Sequence, residues 1–162
     1  KDTPKPYSEG LRISRQYYDL TGKPTTPTQL TSGDLLIVEL NVSTDDDLRI
    51  PDALVIDLLP AGLELENQNL SNASVDLDSI MIDEKPLGRY FRENNLLYQE
   101  YRDDRFVASV SLSDKSVKKL YYLVRAVTPG TYQVAPPFVE DMYRPNYRAI
   151  GTSITTLEIQ PR

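Results

Sequence analysis

Residues 118–128 set Leu120, Tyr122, Val124 and Ala126 on one side of an extended chain and Tyr121, Leu123 and Val127 on the other. Successive side chains of a strand point to opposite sides, so a segment apolar on both belongs inside a sheet and not at its wet surface. Asp34 to Thr44 has the same character: Leu36, Val38, Leu40 and Val42 share one face, while Leu35 and Ile37 lie on the other. Two interior strands of this kind set the fold class as all-β.

Other segments read as strands with one wet face. Gly10 to Asp19 alternates Leu11, Ile13 and Tyr17 with Arg12, Ser14, Gln16 and Tyr18, and ends at Gly22 and Pro24. Asp52 to Leu59 is followed by the turn Leu59-Pro60-Ala61-Gly62, with proline preset at its second position, and Leu63 and Leu65 resume beyond it. Residues 96–101 and 106–112 form a β-hairpin across Arg102-Asp103-Asp104-Arg105, with Phe106, Ala108, Val110 and Leu112 inward and Ser109 and Ser111 outward. Polar residues 113–116 turn the chain into the segment at 118–128. Pro129-Gly130 turns it again, Thr131 to Val134 is short and extended, and Thr152 to Gln160 is the last strand. Asn67 to Asn95 fits neither period. It reads as an insertion holding a short helix or a strand, with Glu84 to Gly88 as loop. The sum is seven or eight short strands in an antiparallel two-sheet immunoglobulin-like sandwich, residues 1–162 forming one domain.

Ala135 to Gly151 stands apart. Pro136, Pro137 and Pro145 lack amide donors and bias their predecessors toward extended backbone, so the stretch reads as a long loop with no central strand. Its Phe138, Val139, Met142, Tyr143, Tyr147 and Ile150 gain free energy only when covered, which predicts that the loop packs over something. Met142 and Tyr143 are the candidates for a contact role, with packing of the loop on itself as the alternative.

Composition closes off other chemistry. The 162 residues contain neither cysteine nor histidine, so there is no thiol nucleophile, disulfide frame or thiolate metal site, and most acid–base dyads are excluded. No catalytic, cofactor-binding or metal-binding residue is assigned. The Asp45-Asp46-Asp47 run lacks the spacing of a calcium loop and reads as a solvated turn. Carboxylates such as Asp103, Asp104 and Glu140 are numerous enough to pair by chance, and the sequons at Asn41, Asn69 and Asn72 read as coincidental. A net charge of -6 opposes nucleic acid and direct contact with anionic membranes. There is no apolar run long enough to span a bilayer, and Lys1-Asp2-Thr3-Pro4 lacks a signal-peptide pattern, so the chain reads as a piece of a longer protein.

One set of motifs is recognisable: Arg125-Ala126-Val127-Thr128-Pro129-Gly130-Thr131, Pro136-Pro137, Asp141-Met142-Tyr143-Arg144-Pro145 and Arg148-Ala149. Arg102 to Ala108, Leu59 to Glu64 and Arg15 to Asp19 extend it over nearly the whole chain. The sequence resembles the C-terminal macroglobulin-like domain of bacterial alpha-2-macroglobulins. The resemblance implies a non-catalytic part of a broad-spectrum protease trap, periplasmic, with its parent anchored to the inner membrane. In such a trap a protease cuts a bait region and a Cys–Gln thioester in another domain acylates a protease lysine. The resemblance further implies that Met142 and Tyr143 help cover that thioester, with Pro136, Pro137, Phe138, Arg144, Pro145, Tyr147 and Arg148 supporting them. The implied partners are the thioester-bearing and other domains of the same chain and, through the parent, target proteases. An envelope partner such as a peptidoglycan synthase is a further candidate. A reading from another class is a generic immunoglobulin-like adhesion or spacer module of a surface protein, favoured by the Leu-Pro-Ala-Gly-Leu turn.

Overall fold

A computed structural model describes residues 4–45, 47–66, 76–92, 98–102, 104–113 and 116–162. In chain order the strands are β1 (Tyr7–Glu9), β2 (Leu11–Tyr18), β3 (Pro24–Thr25), β4 (Gln29–Thr31), β5 (Leu35–Thr44), β6 (Arg49–Leu58), β7 (Leu63–Glu66), β8 (Met81–Ile82) and β9 (Lys85–Pro86). The short helix α1 (Leu87–Arg92) follows. Then come β10 (Tyr98–Arg102), β11 (Arg105–Ser113), β12 (Lys118–Ala126), β13 (Gly130–Gln133), β14 (Phe138–Asp141), β15 (Arg148–Ile150) and β16 (Thr156–Gln160). Seven or eight strands was an undercount, because pairings of two to four residues carry too little pattern to be read from sequence.

Two sheets face each other. The first runs β1-β15-β14-β6-β11-β10, the second β3-β2-β5-β12-β7, and all their pairings are antiparallel. A smaller sheet, β13-β16-β4, pairs β16 parallel to β4 and sends Leu157 and Ile159 into the main core. Between the layers lies one apolar core. Leu36, Val38, Leu40 and Val42 of β5 and Leu120, Tyr122 and Val124 of β12 meet Val55 of β6, Phe106, Ala108, Val110 and Leu112 of β11, and Val139 of β14. Each Val, Leu and Phe among them contributes about 1.5–3 kcal/mol by leaving water.

The insertion accounts for the strands that are apolar on both faces. Tyr18, Ile37, Tyr121 and Leu123 project from the outer face of the second sheet, and Ile80, Ile82 and Leu87 of the inserted segment cover them in a second apolar cluster. Residues 84–88, read as loop, instead supply β9 and the start of α1. The β8–β9 turn is held by Asp83 and Glu84, both left-handed at φ 51° and 64°, a hairpin turn normally signalled by Asn-Gly and therefore unmarked here. The rest of the insertion, 67–75 and 93–95, lies outside the described residues, as do Asp46, Asp103 and the sequons at Asn69 and Asn72.

A second correction concerns Ser109, which is buried and not on the wet face; its hydroxyl donates to Asp52 Oδ1 at 3.4 Å. The third concerns Ala135 to Gly151. This stretch contributes two strands, and β14 is an interior one, hydrogen-bonded to β6 on one side and β15 on the other. The prolines punctuate the segment without excluding pairing. Pro136 and Pro137 precede β14, Pro145 sits in the connection, and the proline-free residues 138–141 alternate with Val139 and Asp141 buried and Phe138 and Glu140 half-buried. The actual loop is residues 142–147.

Candidate docking loop

The six residues between β14 and β15 are fixed by hydrogen bonds from their own backbone. The Asp141 N–H donates to the Tyr147 carbonyl at 3.0 Å, and the Tyr147 N–H donates to the Arg144 carbonyl at 2.9 Å, closing a turn with Pro145 in its second position. The Met142 N–H donates to the Asp52 carbonyl at 3.0 Å, which ties the loop to β6. At the root, the Asp141 carboxylate accepts the Tyr143 N–H on Oδ1 and Arg144 Nε on Oδ2, each at 2.9 Å. Arg144 continues outward. Its Nη2 donates to the Arg49 carbonyl at 2.8 Å, and its guanidinium carbon lies 4.9 Å from the centre of the Tyr147 ring.

Met142 and Tyr143 are carried on this frame into solvent. Tyr143 is 72% exposed, the highest value for a large apolar side chain among the described residues, and Met142 is 44% exposed. The Tyr143 hydroxyl donates to Asp52 Oδ2 at 3.2 Å, so its polar tip has a partner on the same sheet while its ring stays uncovered. The backbone of the loop bonds to itself and to β6, while the Met142 and Tyr143 side chains stay largely in solvent.

The other predicted residues divide by role. Pro136 and Pro137 are buried beneath the segment, and the Pro137 carbonyl accepts the Gly151 N–H at 3.0 Å. Tyr147 packs against the main core, and its ring approaches so near Gly10 that a Cβ there would meet Cδ1 at 2.5 Å. Phe138 is half-buried on the outer face of the first sheet, in register with Ile56 and Ile150. Arg144 and Pro145 are exposed, and Arg148, also exposed, places its guanidinium 5.5 Å from the Tyr7 ring. Sequence reading missed Asp52 and Asp141, which hold the pair. The signal for Asp141 was present, since an aspartate two residues before the amide it accepts is a common turn device.

No group of three or more His, Cys, Asp or Glu among the described residues is placed to hold a metal ion. No helix among them is long and apolar enough to cross a membrane. What the loop offers chemically is an apolar, polarisable patch of thioether and ring on a preset backbone, suited to packing and not to bond-making.

Facing antiparallel sheets around one apolar core, with an insertion covering the outer face of one sheet, define a macroglobulin-like β-sandwich. The chain belongs to the bacterial alpha-2-macroglobulin MG10 domain family, whose model matches residues 10–146. It is 44% identical over 161 residues to the alpha-2-macroglobulin of Escherichia coli, covering 99% of this chain and 10% of that protein. The crystal structure of native E. coli alpha-2-macroglobulin from domain MG7 to the C-terminus matches with a TM-score of 0.87 at 44% identity, covering 99% of this chain and 25% of that one. The crystal structure of Salmonella alpha-2-macroglobulin reacted with methylamine matches with a TM-score of 0.83 at 45% identity, covering 99% and 10%. The chain thus spans about a tenth of the length of the curated relatives it matches.

Proposed function

We propose that residues 1–162 act as a single non-catalytic domain of an alpha-2-macroglobulin-type protease trap, and that Met142 and Tyr143 are its contact with a thioester-bearing domain of the same parent chain. The observation that carries this reading is the pairing of high exposure with a fixed backbone: Tyr143 is 72% and Met142 44% exposed, while the amides of both residues are already bonded within the domain. A side chain that serves only its own core is not held in this way. Family membership supports the trap, and the methylamine-reacted Salmonella relative supports an amine-sensitive group in such parents.

The physical role follows from the chemistry of an activated acyl group, which survives only while water and amines are kept from it. Met142 and Tyr143 present apolar surface that excludes both. This chain, having no cysteine, cannot form the thioester itself, and its part is to shield. We place the parent in the periplasm, anchored to the inner membrane, on the strength of the family resemblance.

The test is the double replacement Met142→Ala/Tyr143→Ala in the parent protein. Thioester loss to methylamine, followed before any protease is added, is expected to accelerate while the far-ultraviolet spectrum stays that of a β protein. An unchanged lifetime with the fold intact would place the loop's partner elsewhere.

A further inference from the structure

We propose that the Asp141 carboxylate is the positioning residue of the Met142–Tyr143 pair: it draws the loop backbone into the conformation in which both side chains are offered to a partner. This rests on the reading of that pair as the contact with a thioester-bearing domain.

Asp141 is the last residue of an interior strand, and its side chain is 1% exposed. A carboxylate taken out of water must recover its lost hydration from fixed donors. The donors come from the loop itself, the Tyr143 N–H and Arg144 Nε at 2.9 Å each. The strand fixes the carboxylate, the carboxylate fixes the amide of Tyr143, and Arg144 is pinned from its far side by the Arg49 carbonyl. Asp52 completes the arrangement, accepting the Met142 N–H on its carbonyl and the Tyr143 hydroxyl on its side chain. Because the hydroxyl is engaged within the domain, Tyr143 offers a partner its ring and not its polar tip. A loop already ordered loses little conformational freedom on docking, which is how a two-residue patch can hold a cover closed.

The experiment compares five parent proteins: wild type, Asp141→Ala, Asp141→Asn, Met142→Ala/Tyr143→Ala, and the combination of Asp141→Ala with that double replacement. The quantity read is the rate constant of thioester loss to methylamine before protease is added. Asp141→Ala is expected to speed loss on the order of tenfold, the equivalent of releasing about one backbone residue. In the Met142→Ala/Tyr143→Ala background it is expected to add nothing, since the side chains it positions are gone. Asp141→Asn, which still offers Oδ1 to the Tyr143 N–H, is expected to restore part of the lifetime. Equal acceleration by Asp141→Ala in both backgrounds would show a general structural role and overturn the proposal. If the double variant alone shortens the lifetime and folded Asp141→Ala does not, the positioning role is refuted while the docking reading stands. If the double variant leaves the lifetime unchanged, both fall. Should Asp141→Ala fail to fold, Arg144→Ala removes the exposed arm of the same clamp and is read in the same cycle.

Discussion

Arg15 and Asp57 meet across the two sheets, Nη1 to Oδ1 at 2.6 Å, with 3% and 0% of their side chains exposed. Arg15 leaves β2, Asp57 leaves β6, and the Tyr122 hydroxyl of β12 donates to the second carboxylate oxygen. The other arm of Arg15 donates to Ser153 Oγ at 2.8 Å. Burial pushes the Asp57 carboxyl up, opposed by the Arg15 charge and the hydrogen bonds from Tyr122 and Arg15. Taking both charges out of water offsets much of the attraction between them, so the pair gains little over an apolar pair of the same size. Arg15→Met or Asp57→Leu alone is expected to lower stability by about 3–5 kcal/mol, because each strands a buried charge. The two together are expected to recover most of that loss. Chemical denaturation of all three variants reads this coupling, and additive losses would contradict it.

The inserted segment is expected to contribute to stability and not merely to ride on the sheet. Leu123 is 2% exposed and lies in the cluster under Ile80, Ile82 and Leu87. Leu123→Ala is expected to cost about 2–5 kcal/mol in denaturant unfolding, the range for truncating a fully buried leucine. A loss within about 0.5 kcal/mol, the level usual for surface changes, would mean that the insertion does not cover this face in solution.

Alkali should unfold the protein through its tyrosines. Burial raises the Tyr17 hydroxyl to about 12, with the Arg15 charge opposing, and burial assisted by Glu39 raises Tyr18 to about 12. In the unfolded chain both titrate near their ordinary value of about 10. The folded form thus holds protons that the unfolded form releases, so the contribution to stability is full below pH of about 10 and disappears as pH rises toward about 12. Denaturation midpoints measured across that window should fall steadily. Tyr17→Phe is expected to flatten the slope, and a slope unchanged in that variant would assign the effect to other groups.

Replacement by alanine should be costly at Gly10 and nearly neutral at Tyr143. Gly10 has φ +75°, and a Cβ there would meet Tyr147 Cδ1 at 2.5 Å and Leu48 Cδ2 at 2.9 Å. Gly10→Ala is therefore expected to cost about 1–3 kcal/mol through backbone strain and displacement of Tyr147. Tyr143→Ala, whose ring lies in solvent, is expected to stay within about 0.5 kcal/mol of wild type. Thermal unfolding distinguishes the two, and marked destabilisation by Tyr143→Ala would make it a core residue.

Which parts of this were legible in the sequence depended on how much pattern each segment carries. β5 and β12, with nine or ten residues apolar on both faces, could be nothing but interior strands. The reason for their second apolar face was not legible, because Ile80, Ile82 and Leu87 approach from a segment whose own spacing follows neither period. β14 was missed since the prolines around it outweighed a four-residue alternation, although those prolines stand outside the paired residues. Met142 and Tyr143 stand out in the sequence by residue type and family motif, and the structure adds that both are exposed. Asp52 was not, because its role depends on β6 lying beside β14, a neighbourhood that only the tertiary fold creates.

The parallel pairing of β16 with β4 bears on how the protein matures. Glu158, Ile159 and Gln160 lie against Gln29, Leu30 and Thr31, and β15 completes its sheet by pairing with β1. A chain emerging from its N-terminal side would hold β1 and β4 without partners until the last strands appeared, since pairings so far apart in sequence form late and slowly. During that interval the edges of both strands would be open to pairing with other chains. Closure of the sandwich is therefore the step that removes both open edges at once, and a chain truncated before β15 would leave two strands ready to pair with a neighbour.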